Sequence, residues 1–294
     1  MEDIRKTTQF ILLARIAGVC VFWGRAWQHL FWDAPLRTLL WDEKWMRPVI
    51  EGLFGGHWSD YVTNPNVDGS IEIAVDALGW YYLIAGLACL VYPFAKKLTG
   101  WIIRIGGVFL LILSLLYWKE KFYFFGQLFE YTLQIFTPFF FLWIYSQKQL
   151  LPKMQTSLKV ATALTFTCHG LYAVGFYPIP ENFLTMTMSI LGFGNERAAN
   201  FLLFAGFTDF MVSFCLFLPW RKVRMAALAY AVFWGAMTSI ARIWAYFYPE
   251  YWLEMMYQWA FQFVYRVPHF ILPAILLLYE YAEFQKNKAI LATK

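Results

Sequence analysis

Twelve ionisable side chains stand inside stretches otherwise suited only to lipid: Arg25, His29, Asp76, Lys119, Glu130, His169, Asp209, Arg242, Arg266 and His269 in the outer half or near the midplane, and Arg15 and Arg104 toward the inside. A charged group in the bilayer core costs about 2.5–3.5 kcal/mol on insertion scales, so each must face a bundle interior or water and is a candidate for ligand or proton chemistry. Gln127, Glu130 and Gln134 follow at i, i+3 and i+7, one face of a helix. Gln258, Gln262, Arg266 and, nearby, His269 follow one face of another. If these faces meet, Glu130 and Arg266 pair at equivalent depth and offset each other's burial. Asp209 and Arg242 form a second candidate pair on adjacent helices, and the plain alternative is that both pairs are polar contacts holding a bundle together. Facing histidines could in principle serve as axial haem ligands. A single buried histidine bonded to a carboxylate or carbonyl is commoner, so haem is not expected. Proton exchange between Glu130 and a histidine is the other chemistry open to this set. Glu130, His169 and His269 are therefore the candidate catalytic residues, and Arg25, His29, Asp209, Arg242 and Arg266 the candidate cofactor contacts.

The elements that must position them are membrane helices. Of 294 residues, 60% are hydrophobic, 21% aromatic and 15% charged, against about 45–50% apolar and about 25% charged in a soluble domain. A soluble enzyme is excluded. Eight apolar stretches of bilayer-crossing length are predicted, at 8–30, 73–95, 100–118, 122–146, 157–176, 199–218, 224–247 and 257–281. Backbone groups in lipid must pair within a helix or closed barrel, and the all-α reading is the economical one. Arg5 and Lys6 precede the first stretch, Arg15 and Arg25 lie within it, and no small-residue cleavage site follows, so a cleaved signal is not expected. With both termini inside, cytoplasmic segments carry 13 basic and 4 acidic residues and outer segments 6 and 12, as the positive-inside rule requires. Arg5, Lys6 and Lys294 are among the inner cations. The net charge of +5 thus sums two faces of opposite sign and implies no nucleic-acid partner; the basic face suits anionic lipid. The expected location is a bacterial inner membrane. Cys20, Cys89, Cys168 and Cys215 form no CxxC or Cys/His cluster and read as buried thiols, with no metal site.

The chain also repeats itself. Cys89-Leu90-Val91-Tyr92-Pro93 followed by Lys96 and Lys97 recurs as Cys215-Leu216-Phe217-Leu218-Pro219 followed by Arg221 and Lys222. Gly79 matches Gly206, Trp118 matches Trp244, and Phe31-Trp32-Asp33-Ala34-Pro35 matches Phe176-Tyr177-Pro178-Ile179-Pro180. Glu130 and Arg266 each precede a proline, Pro138 and Pro273, in aromatic settings. Residues 1–150 and 151–294 are accordingly expected to be parallel four-helix repeats about an axis along the membrane normal.

This four-span unit, with its long loop 33–72, the cluster Gly24-Arg25-Ala26-Trp27-Gln28-His29 and a glycine-aromatic start to the next span, resembles the DoxX/DoxD group. That superfamily includes HTTM proteins and vitamin K-dependent carboxylases. The resemblance implies a membrane subunit of a quinone-linked redox system, such as thiosulfate:quinone oxidoreductase. No string here matches a catalytic lysine of the carboxylases, and P-loop, GxGxxG, GxSxG and HExxH motifs are missing. The expected function is binding of a quinone or similar lipid in an aromatic-lined, outward-facing pocket. Within the loop, Pro35 to Phe54 is predicted to form one amphipathic helix that lies on the membrane, lids the pocket or docks a protein partner. The alternatives are a scaffold or accessory subunit of a larger complex, and a transporter. The last ranks lower because the spans lack matched Gly/Pro interruptions.

Overall fold

The computed structural model describes residues 2–292, with side chains over 7–291. The side chains of Arg5, Lys6 and Lys294, counted above as inner cations, lie outside those described. The chain is 84% helical, and the described residues contain no strand. In order, the helices are α1 (Glu2–Phe31), α2 (Arg37–Leu40), α3 (Glu43–Gly52), α4 (Trp58–Thr63), α5 (Pro65–Val91), α6 (Lys96–Glu120), α7 (Phe125–Glu130), α8 (Thr132–Gln147), α9 (Pro152–Ala173), α10 (Glu181–Leu191), α11 (Asn195–Cys215), α12 (Arg221–Trp244), α13 (Trp252–Arg266) and α14 (Pro268–Ala292). Their starts follow local chemistry: Asn64 accepts the Asn66 amide at 2.9 Å ahead of Pro65, and Pro152 occupies the first turn of α9, where a missing N–H costs nothing.

The outer surface of these helices is apolar, as lipid contact demands. On α6, Leu98, Trp101, Ile105, Val108, Ile112 and Leu115 form an exposed stripe at helical spacing, and on α12 Phe233, Met237, Ile240 and Trp244 form another. Among the described residues, six stretches are long and apolar enough to cross a membrane: Thr7–Phe31, Pro65–Val91, Lys96–Glu120, Asn195–Cys215, Arg221–Trp244 and Pro249–Leu291. Two of the expected spans, 122–146 and 157–176, are not among them. The first is divided at Tyr131 into α7 and α8. The second, α9, carries Lys153, Lys159 and four threonines and turns many of its residues into the core.

Two central helices organise the packing. α1 contacts α5, α8, α13 and α14, while α9 contacts α11, α7, α8 and α14. Both depend on close backbone approach at glycine. A Cβ on Gly24 would stand 2.5 Å from the Tyr265 backbone nitrogen, and one on Gly206 would stand 2.8 Å from the Gly170 carbonyl oxygen. The sequence-matched Gly79 is likewise closed over by Leu30 and His29.

The uninterrupted spans expected from sequence are corrected at two places. The α7–α8 break falls at Tyr131 and the α13–α14 break at Val267. At the second, Pro268 has no N–H to return to Val264. At the first, the Leu133 amide is taken by Thr165 Oγ1 of α9 at 3.3 Å. Glu130 and Arg266 are the residues immediately before the two breaks.

At one end of the bundle a single buried carboxylate collects cations from two other helices. Glu280 of α14 accepts from Arg224 Nε at 2.8 Å and Arg221 Nε at 3.1 Å, with Lys159 Nζ at 3.6 Å. The segment 33–72 differs from the expected single helix. Asp42 accepts the Trp45 amide at 3.1 Å and starts α3 afresh, leaving α2 as one turn. Leu36 and Leu40 pack beside Ala34, Ile71, Val75 and Leu113. Lys119 of α6 donates to the Thr38 carbonyl at 2.6 Å and pairs with Asp42.

Gly24→Val should destabilise the protein by about 1–3 kcal/mol through overpacking, whereas Gly69→Ala, where a Cβ meets nothing within 4 Å, should be neutral or slightly stabilising. Thermal unfolding in detergent checks the pair; equal midpoints would disprove the close crossing. The Lys119 hydrogen bond holds the Asp42 carboxyl below the usual carboxylate range, with the Trp45 amide assisting and desolvation opposing. A depressed acid stabilises docking above its unfolded value of about 3.9 and loses that contribution as pH falls through its lower folded value. Hydrogen-exchange protection over 43–52, taken relative to the intrinsic rate at each pH, should therefore fall on acidification below that range in the native chain, and much less in Asp42→Asn.

Candidate functional site

Five of the eight residues singled out in the sequence converge where the broken helices meet α9 and α12. Arg266 Nη2 lies 2.9 Å from His169 Nε2. A guanidinium can only donate, so Nε2 accepts and the imidazole proton resides on Nδ1. Glu130 Oε2 lies 3.8 Å from the same Nε2, and its other oxygen accepts from Gln127 at 3.0 Å. The expected direct Glu130–Arg266 pair is thus replaced by an indirect one, with His169 between them. Arg266 and a proton compete for one lone pair. The His269 ring faces that of His169 at 5.7 Å between centroids. Its Nδ1 contacts the Arg266 carbonyl at 3.0 Å, which assigns the proton to Nδ1 and leaves a lone pair on Nε2. Arg242 donates to Gln262 at 3.3 Å. Helix placement explains this convergence. Arg266 closes the C-terminal turn of α13, where carbonyls favour a cation, and Glu130 ends α7 at the break before α8, facing His169 of α9. A Cβ at Gly235 would stand 2.6 Å from the His269 carbonyl oxygen, so α12 and α14 touch through backbone at this level.

His169, Arg242, Arg266 and His269 open onto a cavity of about 510 Å³ walled by α9, α10, α11, α12 and the α13–α14 junction, while Glu130 lies outside its lining, behind His169. Its lining is apolar apart from His169, Asp209, Arg242, Arg266, His269 and two threonines. Phe233, Met237, Ile240, Trp244 and Leu191 belong both to this lining and to the exposed apolar surface, so the mouth is lateral, on the flank of α12 that lipid would cover. Arg242, Arg266, His269 and Asp209 are 7%, 5%, 3% and 2% exposed, yet Arg242 Nε, Arg266 Nε, His269 Nε2 and Asp209 Oδ1 have no hydrogen-bond partner among the described residues.

The expected Asp209–Arg242 pair does not form. Tyr230 and Trp234 of α12 reach the Asp209 carboxylate instead. Arg242 stands eight residues beyond Trp234, about 12 Å along the helix. Arg25 and His29, expected as cofactor contacts, lie away from the cavity. Arg25 is enclosed by Tyr265, Tyr131 and Tyr117, with ring centroids 3.9, 5.2 and 5.7 Å from Cζ. It donates to Gln28 and Gln134 at 2.7 Å each. His29 contacts the Arg25 carbonyl at 2.7 Å and borders a separate polar pocket with Asp33, Arg37, Glu72 and Asp76.

The lid expected from residues 35–54 is supplied by another segment. α10 roofs the cavity through Phe183, Met186, Thr187, Ile190 and Leu191. The spacing of Phe183, Met186, Thr187 and Ile190, between Pro180 and a Gly192 with positive φ, was the available signal for this helix. The aromatic cage around Arg25 had no such signal, since its rings come from three separate elements. Among the described residues, no three His, Cys, Asp or Glu side chains stand close enough to hold a metal ion, and all four cysteines are free thiols. Comparison with protein families, curated proteins and solved structures finds no match for this chain.

Because Arg25 is held by rings and amides rather than by the cavity, Arg25→Met should cost about 1.5–3 kcal/mol of stability without changing what the cavity holds. A double-mutant cycle with Gln134→Leu should show coupling; additive losses would contradict the caging.

Proposed function

We propose that this chain is an integral membrane protein that takes a lipid, an isoprenoid quinone or an amphiphile of similar form, from the bilayer through the lateral mouth and binds its polar head among Arg242, Arg266, His169 and His269. One observation carries this reading: an apolar cavity of about 510 Å³ whose rim is continuous with the lipid-facing surface and whose polar groups are buried with unused donors and acceptors. The free lone pair of His269 Nε2 suits the hydroxyl of a quinol, and Glu130 behind His169 is placed to receive or return a proton once Arg266 moves. In a DoxX-like, quinone-linked system such a site would serve a redox subunit, with the oxidant or reductant supplied by a partner.

The same reading includes eight crossings in two parallel four-helix units with both termini cytoplasmic. Reciprocal packing supports the repeats: α1 lies against the broken α13–α14, and α9 against the broken α7–α8. Clustering of Lys159, Arg221 and Arg224 at one end favours a common cytoplasmic face for them. The exposed Trp45, Leu53 and Phe54 of the segment 33–72 suit a partner on the outer side. The matched breaks at Tyr131 and Val267 favour a second reading, lipid movement across the bilayer, because discontinuous helices at a repeat interface characterise transporters.

Solvent extraction of the purified protein followed by mass spectrometry should recover a stoichiometric lipid from the native chain and little from Thr238→Trp, which fills the cavity between Gly235 and Arg242. A folded native protein without lipid, or equal recovery from both, rejects the reading. Uptake of labelled lipid into reconstituted vesicles separates movement from binding alone.

A further inference from the structure

The cavity places two guanidinium groups, on α12 and at the end of α13, in a water-poor interior without a matching carboxylate. Among the described residues, no Asp or Glu oxygen lies within salt-bridge distance of Arg242 or Arg266; the nearest carboxylate chemistry is Glu130, which faces His169 at 3.8 Å and is bonded to Gln127. Asp209, the other carboxylate in the cavity wall, meets Tyr230 and Trp234 and keeps Oδ1 without a partner among the described residues, but it stands about two turns away along α12. Both histidines present lone pairs and carry no charge in the tautomers their contacts require. The polar end of the cavity therefore holds two cations against one displaced anion. Buried charges are tolerated when paired and hydrogen-bonded, and an unpaired one is strongly destabilising. The Nε donors of both arginines are also unused.

Resting on the lipid-binding reading above, we infer that the ligand brings the missing counter-charge: an oxyanion, carboxylate or phosphate, at the end of a single apolar chain. Arg242 and Arg266 bind the oxyanion by charge-assisted hydrogen bonds. The chain runs between α11 and α12 toward Phe233 and the lateral mouth. His269 Nε2 then accepts from a ligand hydroxyl or from the acid itself when the head enters protonated. A neutral quinone satisfies none of the charge imbalance and should bind less well than an acidic amphiphile of equal length.

The test compares labelled dodecanoate, dodecyl phosphate, dodecanol and a decyl-substituted benzoquinone for equilibrium binding to the full chain in phosphatidylcholine nanodiscs. Binding of an oxyanion about tenfold or more tighter than dodecanol, with Arg242→Gln weakening the oxyanions far more than dodecanol and so removing most of that difference, is the expected result. A preference between carboxylate and phosphate supports the inference equally and identifies the head. If dodecanol or the benzoquinone binds as tightly as the acids, the inference is wrong while the lipid-binding reading stands. If none binds, that reading fails as well. The ligand comparison on the native chain keeps the outcome decisive even where Arg242→Gln does not fold.

Discussion

Inside a lipid-facing bundle, every interrupted helix must find partners for its freed groups from neighbouring helices, and this constraint shapes the centre of the molecule. Pro268 removes one backbone donor at the start of α14, and Tyr131 divides α7 from α8. The side chains flanking these interruptions are the ones that converge. Arg266 turns to His169, Glu130 faces the same imidazole, Tyr131 and Tyr265 close on Arg25, and Thr165 meets the amide of Leu133. The polar chemistry of the protein is thus assembled by the breaks themselves.

Glycines set the precision of that assembly. Where Gly24 meets Tyr265, Gly170 meets Gly206 and Gly235 meets His269, backbones approach without intervening side chains. The level at which His269 sits beside α12 is consequently fixed by main chain. The cavity begins beside that contact, with Gly235 and His269 both in its wall, and extends between α11 and α12 under the short roof α10. Close contact and open space alternate around α12, and the buried arginines occupy the boundary.

Much of this was readable from residue order. Apolar length and scarce charge gave the helical membrane character, and the cost of burying ionisable groups in lipid put Glu130, His169, Arg266 and His269 in one candidate group, which the fold brings together. The failures share a cause. Whether Arg242 faces Asp209 depends on helix register, and pairing by proximity of spans overlooked the two turns separating Arg242 from Trp234. Arg25 lies next to an aromatic cage built from α6, the α7–α8 break and α13, elements distant in sequence. α10 was missed because its four apolar anchors are too few to stand out beside true spans. The helix breaks were missed because hydropathy averages over a proline or a single turn without registering the lost hydrogen bond.

Glu280 has an implication for how the protein is made. Its carboxylate serves Lys159 of α9 and Arg221 and Arg224 of α12, all of which leave the ribosome before it does. Until α14 is translated, these three positive groups have no common counter-ion, and the bundle cannot close at that end. Biogenesis thereby acquires an order: arrival of α14 both completes the wall and neutralises what earlier helices left uncompensated.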